Sequence, residues 1–302
     1  EENGLLPMKN WAQDRWKEGA AKIGTPRYTE ELKVEPWPCA YCVMGCHRRV
    51  TSPNYRTETA GPEYETLAMI GSNLLIDDLK AIVEANYLCN DLGIDTIELG
   101  GVLGWAFECY EKGILSKRET DGIEMTWGNA AAIKTMLNKI AKREGFGNVL
   151  AEGIMRAAQQ VGGEAPNCAI HTIKGNSVRT HDHRAIWFEL LDTCVSSAGS
   201  METSFTSSPA KLGLGSENSV LQVFTPQELS SVSARIKGSA QFEVSLVVCR
   251  FNIRSDINSL CKALSAATGW DFTPEESMEV GRRAVNLLKA FNIRQGIGEE
   301  LD

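Results

Sequence analysis

Three cysteines within eight residues constrain this chain more than any other feature of its sequence. Residues 38–46 read PCAYCVMGC, so Cys39, Cys42 and Cys46 follow a C-x2-C-x3-C pattern. A loop of this kind can present three thiolates to one inorganic centre, with a fourth ligand supplied from elsewhere in the chain. The spacing alone is compatible with an iron–sulfur cluster, with zinc, or with a structural coincidence.

The remaining cysteines argue against a disulfide scaffold. The total of nine is odd and the chain has 302 residues, whereas disulfide scaffolds are short, secreted chains with paired cysteines. We therefore expect metal ligands in a reducing compartment, the cytoplasm. The other six cysteines are scattered singly, at Cys89, Cys109, Cys168, Cys194, Cys249 and Cys261.

Composition excludes several classes of partner. Hydrophobic residues make up 43% and charged residues 23% of the chain, as in ordinary globular proteins, and the length suggests two domains. A net charge of −8 disfavours binding to nucleic acid or to an anionic membrane. The longest stretch without a charged residue, 36–47, has twelve residues and is too short to span a bilayer. We expect no nucleic-acid partner and no membrane span.

Helical patterns dominate the sequence. Apolar residues in 127–161 recur at three- and four-residue steps, which predicts a helical hairpin that stops at 145–147 and resumes with Asn148 as the cap. Thr273 precedes proline and lies three residues before Glu276, which predicts a capping box at the start of a C-terminal helix.

The rest of the chain completes a mainly α prediction. We expect one helix over residues 66–86, and only short strands, at 168–173 and 242–248. The turn-forming residues 162–167 are the best candidate for a domain boundary. Residues 196–219, rich in Ser, Gly and Thr, are predicted to form a long loop that either lines a site or is partly disordered.

Six motifs, in order and in register, resemble the aldehyde:ferredoxin oxidoreductase family of tungstopterin enzymes. The resemblance covers nearly the whole chain. The motifs are CAYCVMGCHRR at 39–49, GPEYETLAMIGSNLLID at 61–77, LCNDLGIDTIELGGVLGW at 88–105, the hairpin at 127–162, HTIKG at 171–175 and ATGWDFTPEE at 267–276.

This resemblance implies a multihelical fold with two helical domains of the C-terminal type of that family, over residues 1–168 and 169–302. It also implies that the family's N-terminal β-rich domain, the base on which the pterins sit, is absent from this sequence. We therefore expect a fragment or a split subunit that needs the missing base domain or subunit as its partner and does not retain the pterin alone.

The resemblance implies a [4Fe-4S] cluster held by Cys39, Cys42, Cys46 and a distant fourth cysteine. Two residues compete for that position. Cys249 has the expected distance from residues 268–270, whereas Cys261 fits the local letters better but lies too close to them. We prefer Cys249.

Two loops are implied to hold the paired pterins of a tungsten bis-pterin. In the second loop, residues 244–250, Val244 and Val248 are the implied pterin contacts, but Val244 occupies an aspartate position and Val247 a glycine position. This departure implies altered pterin binding. The first loop is residues 90–96, and its implied pterin contacts are Asn90, Gly93, Ile94, Asp95 and Thr96. The alternative for this loop is a helix C-cap at Gly93 that leads into a strand.

Glu65, with Tyr64 beside it, matches the family's glutamate near the metal and is the candidate general acid/base. Its alternative role is an acid at the start of a helix. Ser200 stands where the family has a histidine, so His181 and His183 are the candidate substitutes, with a solvated polar turn as the alternative.

The implied activity is the oxidation of aldehydes to carboxylic acids, with electrons passed through the cluster to ferredoxin or another iron–sulfur carrier. Tungsten is favoured over molybdenum. One alternative is an aromatic acyl-CoA reductase of the same family, in which Cys89 would ligate the metal rather than fill an apolar core. Another alternative is a non-catalytic iron–sulfur subunit that relays electrons.

Overall fold

The computed structural model of the protein describes residues 2–51, 58–197, 224–253 and 256–297. Contacts divide the chain into two compact units. The first unit is Glu1–Tyr41 with Gly45–Asp182, and the second is Cys42–Met44 with His183–Asp302. The expected domain boundary after residue 168 stays a prediction, because a compact unit need not fold independently.

Helices are the main secondary structure of both units, which confirms the expected mainly α fold class. No helix in the described ranges is long and apolar enough to cross a membrane. The first unit contains α1 Lys17–Ile23, α2 Arg27–Glu31, α3 Tyr64–Thr66, α4 Leu79–Leu92, α5 Thr96–Glu111, α6 Ala130–Lys142, α7 Phe146–Leu150 and α8 Ile154–Val161. The second contains α9 Trp187–Cys194, α10 Pro226–Ile236, α11 Ser239–Ser245, α12 Arg250–Ile253, α13 Ile257–Thr268 and α14 Pro274–Arg294.

A small antiparallel sheet carries the cysteine motif. Its strands are β1 Glu35–Pro36, β2 Arg48–Thr51 and β3 Glu58–Ala60, in the order β1-β2-β3. Pro36 pairs with Arg48, so the chain between them is the connection of a β-hairpin. We call this connection, residues 37–47, the cysteine loop.

The single helix predicted over residues 66–86 is wrong, because the chain changes its helix type there. Helix α3 passes into a π-helical turn, Leu67–Gly71, and then into a 3-10 turn, Ser72–Leu74. Leu75 has a left-handed φ of 55°, which ends the helical path. Asp78 then accepts two backbone N–H groups and begins α4.

Helix α5 lies at the centre of the first unit's apolar core. Its Trp105 and Phe107 side chains are fully buried, and Trp105 Nε1 donates a hydrogen bond to the Ala165 carbonyl at 2.8 Å. Burial of each ring contributes roughly 2–3 kcal/mol. A Cβ at Gly100 would lie 2.5 Å from the Met69 carbonyl oxygen, so glycine lets α5 pack directly on the π-helical turn.

The hairpin predicted over residues 127–161 is present as α6 followed by α7 and α8, but Asn148 does not cap the second arm. Asn148 lies inside α7, and the Asp121 carboxylate accepts the first N–H of that helix at 2.8 Å. The chain breaks again at Gly153, where Glu98 Oε1 accepts the first N–H of α8 at 2.8 Å. Carboxylates distant in sequence therefore start both helices.

Both strands predicted from the sequence are wrong. Residues 242–248 lie in α11 and the turn that follows it. Residues 168–173 begin at the end of a 3-10 turn, Ala165–Cys168, and contribute only an isolated bridge between His171 and Ser177. Short apolar runs do not distinguish a strand from a buried helix by periodicity alone.

Charged groups lie inside the second unit. Asp192 on α9 is fully buried and accepts a hydrogen bond from Lys237 Nζ at 3.0 Å. Glu189 and Glu243 are also buried. A buried charge is tolerated only when it is paired, so the Lys237 contact stabilises Asp192 in the interior.

The capping box predicted at Thr273 is confirmed. Its Oγ1 accepts the Glu276 N–H at 3.2 Å, and Glu276 Oε2 accepts the Thr273 N–H at 2.9 Å. Two otherwise unsatisfied donors at the start of α14 are thereby paired.

Candidate functional site

The cysteine loop leaves its thiols accessible. Cys39 and Cys46 are exposed and Cys42 is half-buried. The loop is closed by its β-hairpin, and the Trp37 N–H donates to the His47 carbonyl at 2.9 Å just inside the last strand pair. The hairpin fixes the two ends of the loop, between which the three thiols lie.

The basic residues after the third cysteine join the loop to the start of α3. Arg48 Nη2 donates to the Cys46 carbonyl and to Glu63 Oε2, each at 3.0 Å. His47 Nδ1 lies 3.5 Å from Glu63 Oε1. Sequence reasoning missed Glu63, although it stands two residues before Glu65 in the same motif.

The two candidates for the fourth cluster ligand differ in solvent exposure. Cys249 is exposed, whereas Cys261 is buried on α13, where burial raises the pKa of its thiol. Four accessible sulfurs suit a soft metal or an iron–sulfur cluster. Within the described ranges no three His, Cys, Asp or Glu side chains converge on one metal position, so the ligand set stays a prediction.

The first loop connects two helices, and not a helix to a strand. Gly93 ends α4 with φ of 69°, and Ile94 N–H donates to the Cys89 carbonyl at 2.9 Å. Asp95 Oδ1 accepts the Glu98 N–H at 2.7 Å and so starts α5. The C-cap alternative for Gly93 is therefore confirmed, but the expected strand after it is wrong.

The first loop has room for a flat polar group. Asn90, Gly93 and Asp95 are exposed, Ile94 is half-buried, and no atom lies within 4 Å of the position of a Cβ on Gly93. Amide and carboxylate side chains beside an open glycine fit the hydrogen-bonding edge of a heterocycle. The residues present therefore fit the implied pterin.

The candidate acid/base residues lie beside this loop. Thr66 Oγ1 is 3.0 Å from Thr96 Oγ1, which joins the end of α3 to the end of the first loop. The rings of Tyr64 and His181 have centroids 5.5 Å apart. Glu65, between Tyr64 and Thr66, is half-buried in the first turn of α3.

The remaining predicted residues are His183, Ser200 and Cys89. His183 belongs to the second unit. Ser200 and residues 198–219 of the predicted long loop lie outside the described residues. Cys89 is fully buried, and burial, followed by the charge of Asp95, raises the pKa of its thiol to about 12, as fits an apolar core residue.

The second loop, unlike the first, exposes valine side chains to solvent. Val244 is 68% exposed and Val247 is 93% exposed, while Val248 is half-buried. Val247 has φ of 57°, in the left-handed region that β-branched residues avoid. The turn therefore keeps the conformation expected of the glycine that the resemblance implies at this position.

Glu98 is a structural residue that the sequence did not reveal. Besides the first N–H of α8, its carboxylate accepts the Ser177 N–H, at 2.6 Å from Oε2. One side chain thus ties α5 to two segments that are distant in sequence. A glutamate in the first turn of a helix gives no sequence signal of such distant contacts.

A mainly helical fold with an accessible cysteine loop and a polar loop between two capped helices defines a multihelical class of protein. The chain belongs to the aldehyde ferredoxin oxidoreductase family, because the model of that family for domains 2 and 3 matches residues 1–302.

The curated relatives are longer than this chain. The tungsten-containing aldehyde ferredoxin oxidoreductase of Pyrococcus furiosus is 34% identical, over 100% of this chain and 49% of the relative. The aliphatic sulfonate oxidoreductase, WOR-like subunit, of the same organism is 28% identical, over 96% and 44%. The chain spans about half the length of the curated relatives it matches.

A solved structure shares the fold. The active site complex of benzoyl coenzyme A reductase with 1,5 dienoyl-CoA has a TM-score of 0.74 at 19% identity, covering 99% of this chain and 51% of that chain. At this identity the likeness concerns the fold alone.

Proposed function

We propose that this chain is part of a tungsten or molybdenum bis-pterin oxidoreductase that oxidises aldehydes to carboxylic acids and passes electrons to ferredoxin or another iron–sulfur carrier. The observation that carries the proposal is the match of the family model to residues 1–302. The names of the tungsten-containing relatives support the metal and the aldehyde substrate.

The proposed cofactor sites use the accessible residues. Cys39, Cys42, Cys46 and Cys249 would hold a [4Fe-4S] cluster, and the two loops would hold the pterins. When bound, the metal and pterin supply two-electron redox chemistry and the cluster passes the electrons on singly. Because relatives are about twice as long, we propose that an N-terminal pterin-base domain or subunit completes the site.

The chain's own contribution is proton handling. Glu65, half-buried at the start of α3, would hold or release a proton at its carboxylate as the aldehyde is hydrated and oxidised. Tyr64, packed against His181, would limit the orientations open to the neighbouring Glu65. We propose His183 as a further proton-exchanging group in the complete site.

A second candidate function is a reductase of the aromatic acyl-CoA type. The sequence feature that favours it is Ser200, which stands where the resemblance implies a histidine. The fold shared with the benzoyl coenzyme A reductase complex is compatible with this candidate. A non-catalytic iron–sulfur subunit is supported instead by the second loop, where exposed Val244 and Val247 stand at positions of an implied aspartate and glycine and so change cofactor contacts.

Metal analysis of the complete protein, purified without oxygen, tests the cofactor proposal. We expect tungsten or molybdenum together with iron. Cys249→Ala should lower the iron content, whereas Cys261→Ala, the matched control in the same unit, should not. Bound zinc without iron would refute the cluster, and iron loss only in Cys261→Ala would transfer the fourth ligand to that residue.

The Glu65→Gln variant tests the acid/base proposal in the same preparation. We expect kcat for aldehyde oxidation to fall by roughly 10²- to 10⁴-fold while metal content is unchanged, because positioned proton transfer is lost. Comparison of the pH profiles of His181→Ala and His183→Ala then identifies the partner, since loss of one limb marks it. Full turnover in Glu65→Gln with both aldehydes and aromatic acyl-CoA esters would favour the electron-relay subunit.

A further inference from the structure

A cavity lined mainly by apolar side chains lies between α4 and α6 in the first unit. Its volume is about 150 Å³. Seven of its nine lining residues are isoleucine or alanine, and none of the nine is a candidate cluster, pterin or acid/base residue. Protein interiors contain few voids larger than a water molecule, so a cavity of this size is uncommon.

Small side chains on the two helices create the space. Ala81 and Ala85 lie one turn apart on α4, and Ala130 and Ala131 line the cavity from the start of α6. A methyl side chain extends less far from its helix than the side chain of Leu or Ile does. The two helices therefore leave volume between them that larger side chains would fill.

Three isoleucines form the inner wall of the cavity. Ile70 lies in the π-helical turn, Ile76 follows the left-handed residue that ends this turn, and Ile133 is on α6. Each of the three is at most 3% exposed. The Ile76 N–H donates to the Gly71 carbonyl at 2.8 Å, which holds the chain reversal between Ile70 and Ile76. The inner wall is thus formed before any ligand enters, as is usual for small-molecule sites.

The two charged residues of the lining form an ion pair with each other. Lys134 Nζ on α6 donates to Glu84 Oε1 on α4. The Lys134 side chain is 58% exposed and the Glu84 side chain 17%, so the pair lies where the cavity meets solvent. Their charges cancel, and a charged ligand would have to break this pair. An uncharged ligand leaves it intact.

We propose that this cavity binds one small, uncharged, apolar molecule of the size of a single aromatic ring. An apolar cavity of roughly 150 Å³ offers water too few polar partners, and such a cavity stays dry and admits benzene or xenon. A bound ring gains dispersion contacts with the isoleucine and alanine side chains and leaves water. The cavity shares no residue with the proposed cofactor sites, so binding does not depend on the proposed function.

Melting curves of the complete protein, purified without oxygen, test the ligand class. Benzene near its solubility limit should raise the melting temperature by about 2 °C, because it binds only the folded protein. Benzoate at the same concentration should not, since its charge would have to displace one member of the Glu84–Lys134 pair. Equal shifts with the two compounds, or no shift with benzene, would overturn the proposal.

Xenon under pressure tests the location. Crystals exposed to xenon should show one atom in contact with Ile70, Ala85 and Ile133, because xenon requires only an apolar cavity that is large enough. Xenon density elsewhere in the first unit, with none in this cavity, would refute the site.

Variants that fill the cavity complete the test. Ala131→Leu should abolish the benzene-induced rise in melting temperature, and Ala81→Leu should do so from the other helix. Ala141→Leu is the matched control, since Ala141 is also an exposed alanine of α6 but does not line the cavity. Loss of the rise in both filling variants, with the full rise in the control, supports the proposal. The full rise in both filling variants would contradict it.

Discussion

The two loops proposed to hold the pterin use the same backbone conformation with different residues. The first turns at Gly93, with φ of 69°, and the second at Val247, with φ of 57°. Glycine adopts this conformation without strain, whereas a β-branched residue pays about 1 kcal/mol or more for it. The flanking helices therefore impose the turn geometry, and the second loop keeps it at a cost in backbone strain.

The interiors of the two units differ in the kind of side chain that they bury. An apolar cluster of buried side chains, from Ile23 to Cys168, lies wholly within the first unit. The second unit buries carboxylates, among them Asp192 with its Lys237 partner. Apolar packing tolerates small changes, whereas a buried charge depends on one partner.

The largest expected effect comes from breaking that buried pair. Lys237→Met should lower the free energy of unfolding by about 3 kcal/mol, because the fully buried Asp192 loses a compensating charge. Urea denaturation measures the change. The control is Lys134→Met, which removes a solvent-exposed pair with Glu84 and should cost less than about 1 kcal/mol. Equal losses would mean that the second unit does not depend on its buried pair.

Within the first unit, Glu98→Ala is the sharpest test of the polar contacts that brace an apolar core. We expect a loss of about 2 kcal/mol, since two backbone N–H groups lose their acceptor. Amide hydrogen exchange should accelerate at Ile154 and Ser177, the two donors. Glu111→Ala, on the same helix, is the control, and unchanged exchange at both donors would contradict the bracing role.

Asp121 provides a smaller effect with a defined pH dependence. Burial alone would raise the pKa of its carboxyl. The Phe146 N–H and the Lys139 ammonium stabilise the carboxylate and together lower the pKa by more, so the net pKa lies below its ordinary value of 3.8. Its stabilisation is therefore present above about pH 4 and is lost as pH falls through the folded-state pKa.

Asp121→Asn should accordingly cost about 1.5 kcal/mol at neutral pH, through the weakened cap of α7. The difference from the parent protein should shrink on acidification below about pH 4. Denaturation series at neutral and acid pH measure both values. A constant difference across that range would show that the charge of the carboxylate is not what caps the helix.

The smallest pair of changes tests the loop comparison itself. Val247→Gly should raise the free energy of unfolding by about 1 kcal/mol, because strain is relieved. Gly93→Ala should lower it by about 1 kcal/mol, although open space surrounds the new methyl group. Opposite signs in matched melting curves support the comparison, and a loss in both variants would locate the strain elsewhere.

The sequence predicted the features that depend on local chemistry. The capping box at Thr273 and the glycine end of α4 follow from side chains that act on their own turn. The interruption after α3 and the starts of α7 and α8 were missed, because they depend on Gly100, Asp121 and Glu98, which act across the fold. In the site, the contact between the rings of Tyr64 and His181 arises from the fold, and sequence spacing gave no sign of it.

The hairpin closure of the cysteine loop has a consequence for how a soft metal ion would be captured. Since β1 and β2 hold the ends of an eleven-residue connection together, the three thiols proposed as cluster ligands would act as a chelate. Once one sulfur binds an ion, the next meets it at an effective concentration on the order of millimolar, whatever the amount of protein in solution. A distant fourth sulfur then contributes to retention of the ion and not to its capture. Removal of that sulfur should therefore increase the rate of ion release more than it decreases the rate of ion uptake.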